Sequence, residues 1–406
     1  MCISAKKRPR AAPAWAEVAV AAIEINERHA AAKSVGLKLG SITLAALALP
    51  GVCVTAAQAD TPPESSVVSV KVQGYNDWQP GLDRIKVTAP ALYAMAPFAG
   101  DWSIETSIVQ DSISGASPRW HSSISSSSNM RDRRTAADVK LSRYFARATV
   151  GVRASTSTED DYRSNAVALD ARFSSADNNT TWMIGAGLTH DRINPVNEIV
   201  ENEKKRVTDV MIGVTQAWTK NDLVQLNLSH VRGRGYFNDP YKLVDKRPRE
   251  RDQTIALLRW NHFHEASQTT FRSSYRYYSD TFGIRAHTLQ TEWVKPLSDR
   301  FTITPSARYY TQRAASFYFD PVYDPVIGEP FPVGRPKLSS ADTRLSSFGA
   351  ITLGAKLDWR IDSKWSADVK YERYEQRSSW RLGGDGSPGL ATFKAQIWQL
   401  GVTRTF

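Results

Sequence analysis

Residues 393–406 read FKAQIWQLGVTRTF. Counting back in twos from Phe406 gives Arg404, Val402, Leu400 and Trp398, with Thr405, Thr403, Gly401, Gln399 and Ile397 between them. A period of two is the period of a strand. Soluble chains commonly end in a frayed, polar tail; here the alternation and a bare aromatic run to the last residue. The expectation is a final strand with pairing partners along its whole length.

The same alternation recurs upstream. In TTWMIGAGLTH (180–190), Trp182, Ile184, Ala186 and Leu188 share one face, and Met183, Gly185, Gly187 and Thr189 the other. Val210, Ile212, Val214 and Trp218, then Val224, Leu226 and Leu228, then Ile351, Leu353, Ala355, Leu357 and Trp359 repeat the pattern. Sixteen segments read this way: 66–75, 84–96, 101–110, 134–145, 147–158, 163–175, 180–192, 205–219, 222–236, 251–264, 268–282, 284–297, 301–313, 346–361, 365–380 and 393–406. Many reach the ~9–11 residues a tilted strand needs to cross a bilayer.

Connection length alternates as well. Short links fall at 97–100, near Ala146, and at 176–180, 220–222, 265–268, 296–300 and 362–364. The intervening links are mostly long and polar: 76–83, 111–133, 159–162, 193–204, 237–250, 314–345 and 381–392, with only Phe282-Gly283 short. A soluble sandwich has no reason to lengthen every second connection; a membrane barrel has short periplasmic turns and longer external loops. The fold read from this is all-β, a closed antiparallel transmembrane barrel of about sixteen strands. In lipid an unpaired edge is not tolerated, so the last strand closes on the first. Trp398, Leu400, Val402 and Phe406 then form an outward terminal pattern resembling the signal read by the outer-membrane barrel assembly machinery. Arg404 departs from it and is expected to snorkel at the membrane rim.

Composition narrows the function. Hydrophobic residues make 41% of the 406, aromatics 10%, and formal net charge is +11. Basic and acidic residues are interleaved, as in RPRERD (247–252), and no nucleic-acid motif occurs, so nucleic acid is not an expected partner. Both cysteines, Cys2 and Cys53, precede residue 60. The Lys-flanked apolar run LGSITLAALALPGV followed by Ala57-Gln58-Ala59 reads as a signal peptide cleaved after about Ala59. Lipidation at Cys53 is the alternative, and Val52 argues against it. Residues 1–59 are thus the leader and 60–406 the barrel of an outer-membrane protein.

On strand parity the inner face carries Arg153, Arg172, Arg272, Arg276, Glu292, Arg308, Lys356, Arg360, Lys370 and Glu372, with Asp138, Lys140, Asp170, Asp209, Asp358 and Asp368. Two readings stand: a charge network that rigidifies a wet interior, and a path selecting solutes by sign. Catalysis and metal binding find little support. His262 and His264 share a face without a third ligand; Ser114, Ser117 and His121 lack triad spacing; Asp320, Asp324 and Glu329 suit a stiff loop as well as calcium. No cofactor motif occurs, and the chain is read as non-enzymatic.

Four blocks exceed generic barrel sequence: YNDWQPGLDRI (75–85), DSISGASP (111–118), RLSSFGAITLG (344–354) and YERYEQRSSWRLGGDGSPG (371–389). With the terminal strand they resemble an uncharacterised family of bacterial outer-membrane β-barrel proteins over about residues 66–406. The resemblance implies an outer-membrane barrel and no catalytic residues. Ser114, Gly115 and Pro118, and Gly383, Gly384, Gly386, Pro388 and Gly389, are expected to shape tight loops, either as plain turns or as segments folded into the barrel mouth. The expected function is a porin-like channel for small polar or charged solutes in the lipid bilayer. The alternative is a non-conducting, loop-plugged barrel serving as a surface scaffold. Nothing in the sequence sets a homo-oligomeric state.

Overall fold

The computed structural model describes residues 61–115, 130–242, 244–320, 332, 334 and 336–406. The leader, both cysteines, Pro118, Ser117, His121, Asp324 and Glu329 lie outside these residues. The described chain is nearly all strand: β1 (Val67–Gln79), β2 (Leu82–Phe98), β3 (Trp102–Gly115), β4 (Met130–Phe145), β5 (Ala148–Thr158), β6 (Tyr162–Ser174), β7 (Thr180–Ile193), β8 (Glu203–Ala217), β9 (Asp222–Gly235), β10 (Asp245–Lys246), β11 (Glu250–His264), β12 (Thr269–Asp280), β13 (Arg285–Pro296), β14 (Phe301–Gln312), β15 (Ser339–Ser340), β16 (Phe348–Arg360), β17 (Trp365–Arg377) and β18 (Phe393–Thr405). Sixteen of these close into one antiparallel barrel, while β10 and β15 pair separately as a small ribbon.

Each barrel strand pairs with its neighbours in the chain, and β18 returns to β1 with Val67 opposite Thr405 and Tyr75 opposite Ile397. Phe406 N–H donates to the Ser66 carbonyl, so pairing continues past the strand end. A closed ladder leaves no backbone edge open to lipid. The outer face shows why lipid is the intended surround. Val70, Ile108, Val152, Leu169, Ile184, Leu188, Ile212, Leu228, Leu289, Leu353 and Leu400 all stand exposed there. At the short-turn end Phe98, Phe145, Phe173, Trp182, Trp218, Trp260, Phe301, Trp359, Trp365 and Phe406 add exposed aromatic rings. Amphipathic rings ringing an apolar band match the interfacial girdle of a transmembrane barrel.

Two expected long connections are tight. Pro80-Gly81 alone joins β1 to β2, with Gly81 at φ +72°. Proline followed by a positive-φ glycine is the pairing a type II turn requires, and it lets both strands run further than alternation predicts. Glu159–Asp161 likewise closes β5 to β6, with Glu159 N–H donating to the Tyr162 carbonyl. Length alternation survives because 194–202, 236–249, 313–347 and 378–392 all sit at the same end.

The interior is filled by polar side chains. At the closing seam Lys71, Gly401 and Asp368 lie in one register row across β1, β18 and β17. Lys71 Nζ reaches Asp368 Oδ1 at 3.4 Å over the glycine. A Cβ on Gly401 would stand 2.5 Å from Asp368 Oδ1, so the missing side chain makes room for the ion pair.

Candidate functional site in the barrel lumen

Alternation places the predicted inner residues as follows. Arg153 is buried and pairs with Asp138 at 2.5 Å, and Ser107 donates to the same carboxylate. Lys140 pairs with Asp170 at 3.0 Å, and Lys370 with Glu372 at 2.9 Å. Lys356 pairs with Asp358 at 2.5 Å. Arg172 lies on the same inner parity, between Thr149 and Met183. Arg360 differs. It is exposed at the short-turn rim, and its guanidinium donates to the Asp299 carbonyl, so it braces a turn rather than joining the inner set.

The wall from β11 to β14 is the most one-sided in charge. Arg259 and Arg308 occupy one register row, linked through Ser274 and Gln290. Arg276 lies on the row above and Arg272 on the row below, opposite Glu292. From the Arg276 row to the Arg272 row, four guanidiniums therefore face one carboxylate, while nearer the mouth Arg251 and Asp280 add a balanced pair to the same wall. Parity reading found Arg272, Arg276, Arg308 and Glu292 but missed Arg259, whose segment ALLRWNHF hides its period among apolar neighbours.

At the long-loop mouth several loops fold inward, and the wall is apolar where they seat. Val207, Val231, Ile255, Tyr278 and Ala286 from five strands pack with Phe237, Phe282, Ala315, Phe317 and Leu345 from the loops. Phe282 is fully buried, edge-on to Phe317 at 5.0 Å, with the Arg251 guanidinium over its face at 4.5 Å. A second apolar patch joins Tyr75, Ile85, Val87, Phe348, Tyr374 and Ile397 to loop residue Leu390.

Above these patches, charge ties loop to loop. Arg247 bonds Asp342 at 2.7 Å and Asp245 at 2.8 Å. Lys242 reaches Asp342 at 2.9 Å, and Arg344 bonds Asp239 at 2.9 Å and also Asp342. The β10–β15 ribbon adds backbone pairing between the same two loops. Tyr241 donates to Asp161 at 2.6 Å and Asn197 to the Pro240 carbonyl, drawing two further connections in. Burial pushes the Asp342 carboxyl up, but the Lys242 and Arg247 cations outweigh that and hold it at about 2. Asp239 is raised, by burial first and then by the Asp245 and Asp342 charges, against the pull of Lys242. No sequence signal pointed to this cluster, whose members come from loops about a hundred residues apart.

The glycine-rich block 383–389 also folds into the mouth. Gly383 and Gly384 take positive φ, as a tight turn requires. Ser387 and Ser347 exchange hydrogen bonds, and Gly389 N–H donates to Asp320 Oδ1 at 3.2 Å. Pro388 lies between these two anchors, and Gly386 packs against the Ser378 backbone. Gly115 is not a loop residue: with Ser114 it extends β3, opposite Ile85 and Met130. His262 faces Asp222 at 2.8 Å, and His264 accepts from Ser267 N–H, so both rings serve turns. Among the described residues no group of three or more metal-ligating side chains comes together. The terminal pattern stands outward, with Trp398, Leu400, Val402 and Phe406 exposed. Arg404 lies over the Phe406 ring at 4.5 Å and the Trp365 ring at 5.2 Å. That stacking explains a cation among apolar neighbours.

The family model described as "Protein of unknown function (DUF3570)" matches residues 39–129 and 123–397. The chain belongs to this family. No curated protein matches the sequence. Among solved structures, a bacterial polysaccharide outer membrane secretin is 10% identical, covering 84% of this chain and 98% of its own, at a TM-score of 0.45. A Pseudomonas aeruginosa FadL homologue is 12% identical, with 84% and 90% covered and a TM-score of 0.42. CdiB from Acinetobacter baumannii is 8% identical, with 84% and 60% covered and a TM-score of 0.48. These likenesses concern barrel architecture alone.

Proposed function

We propose that the protein is a gated outer-membrane channel for small polar or charged solutes, closed in this conformation by its own external loops. One observation carries the reading. The inner wall is polar and charged along its length, and turns apolar chiefly where Phe237, Phe282, Phe317, Leu345 and Leu390 seat. A charged lumen below seated loops suits a conduit that selects solutes by sign. The arginine-rich wall of β11–β14 favours anions mildly, because Glu292 and the balanced pairs elsewhere offset part of its charge. On this reading the long loops are external, residues 1–59 are an export leader removed after about Ala59, and 60–406 is the working barrel. Trp398, Leu400, Val402 and Phe406 serve recognition by the assembly machinery, and no chemistry is performed.

Single-channel recording in planar bilayers tests this. Wild-type barrel should show low or intermittent conductance, and a variant lacking the closing segment 336–345 should conduct steadily. A folded, shortened barrel that stays silent sinks the channel reading and leaves the plugged scaffold in its place.

A further inference from the structure

Outside the lumen, β6 to β9 carry an arrangement that transport does not use. On the outward face at the long-loop end, Arg163 stands opposite Arg192, and Arg192 opposite Lys204. One row lower, His190 stands opposite Arg206, and Arg206 opposite Arg234. Arg232 follows on the next row. The five arginines and Lys204 named here are all exposed. Like charges set directly across a strand pair work against the pairing. Arg232 and Arg234 are partly offset by Glu250 and Asp252 at 3.6–3.9 Å. Among the described residues no carboxylate pairs with Arg163, Arg192, Lys204 or Arg206.

Height fixes what lies beside these cations. From Trp218 in the girdle up to Thr208, β8 climbs roughly 25 Å, at ~3.3 Å per residue and ~40° tilt, which is the height of a barrel's apolar band. Val210 and Ile212 fill that span, with Leu169, Ile184 and Leu188 on the strands beside them, all exposed. Arg206 and Lys204 come next. The patch therefore sits at the headgroup level of the leaflet on the long-loop side, directly above an acyl-facing wall. Across the barrel Glu375 lies against Arg377 and Lys394 and offsets part of their charge.

We infer that Arg163, Arg192, Lys204 and Arg206 bind the phosphates of a phosphorylated lipid of the outer leaflet, whose acyl chains lie on Leu169, Leu188 and Val210. Guanidiniums bind phosphate through paired N–H donors, and a bridging phosphate would turn the opposed cations from a cost into a contact. The site rests on the outer-membrane placement proposed above but not on conduction.

The test uses full-length mature barrel in detergent, titrated with purified lipopolysaccharide, with the same lipid enzymatically dephosphorylated, and with inorganic phosphate. The variant is Arg192→Gln/Lys204→Gln/Arg206→Gln; heat-modifiable migration confirms that it folds. Wild type should bind the phosphorylated lipid, and the triple variant about 100-fold more weakly, at about a fivefold loss per cation near a lipid surface. Arg272→Glu/Arg276→Glu, inside the lumen, should bind like wild type. Equal binding by wild type and triple variant overturns the inference, as does equal binding of the dephosphorylated lipid. Phosphate alone competing fully at equal concentration would make the patch a free-anion site and overturn the lipid assignment. Failure of the membrane placement is a separate result, read from cell fractionation while binding in detergent persists.

Discussion

Arg247 and Asp342 lie 95 residues apart in the chain and meet at 2.7 Å, both almost fully buried, inside the long-loop mouth of the barrel. Their contact joins the loop after β9 to the loop before β16. Asp342 also engages Lys242 and Arg344. Asp342→Asn removes the anion these three cations share. Breaking a buried pair by deleting one partner costs about 3–5 kcal/mol. The expected outcome is a folded barrel with a loosened lid, seen as faster proteolysis at 336–347 together with higher open probability. If both measures stay at wild-type values, the apolar contacts alone hold the lid.

That relationship marks where sequence reading stops. Trp398, Leu400 and Val402 read as outward from their period alone, because strand alternation is local. The β1–β18 closure followed from a physical necessity, the absence of water to satisfy an edge. Asp239, Lys242, Arg247 and Asp342 carry no period and meet only after the barrel has brought their loops together. Gly115 was misplaced for a related reason: a glycine near a proline looks like a turn, but pairing with Ile85 and Met130 overrides local preference. Arg360 keeps inner parity yet lies so near the rim that the Asp299 carbonyl claims it.

Acidification should leave the lid shut over a wide range. Asp342 titrates at about 2 when folded and at 3.8 ordinarily. A depressed carboxyl contributes stability that is present above its ordinary value and lost as pH falls toward the folded value. Asp239 shifts the other way, chiefly through burial, so its protonation relieves a buried charge. Conductance and loop protection should therefore hold from neutral pH to about 4 and change between about 4 and 2. A lid that opens near pH 6 would assign control to other groups.

Gly401→Ala tests the seam. The new Cβ would stand 2.5 Å from Asp368 Oδ1 and push it away from Lys71. Overpacking of this kind costs about 1–3 kcal/mol. The unfolding midpoint in urea should fall, and Gly401→Ala with Asp368→Ala should lose less than the sum of the single losses, since both act on one contact. Strict additivity would mean that the glycine and the carboxylate are independent.

Inner and outer faces should respond oppositely to charge. Leu228 is exposed at mid-height of the outer wall, opposite Ile212 and Ala256. Leu228→Arg should lower folded yield, because an arginine at the bilayer midplane costs roughly 2–4 kcal/mol. Arg272 and Arg276 lie on the inner parity of β12, Arg272 exposed to the lumen and Arg276 over the Tyr278 ring at 5.8 Å. Arg272→Glu with Arg276→Glu changes four units of charge on that wall without placing a charge in lipid. The double variant should fold, and its ion selectivity should move toward cations, because Arg259 and Arg308 then face three carboxylates counting Glu292. Reversal potential under a salt gradient reads this directly, alongside heat-modifiable yield for folding. A double variant that fails to fold while Leu228→Arg inserts normally would invert the assignment of the two faces. A double variant that folds and conducts with unchanged selectivity would place the solute path away from the β11–β14 wall.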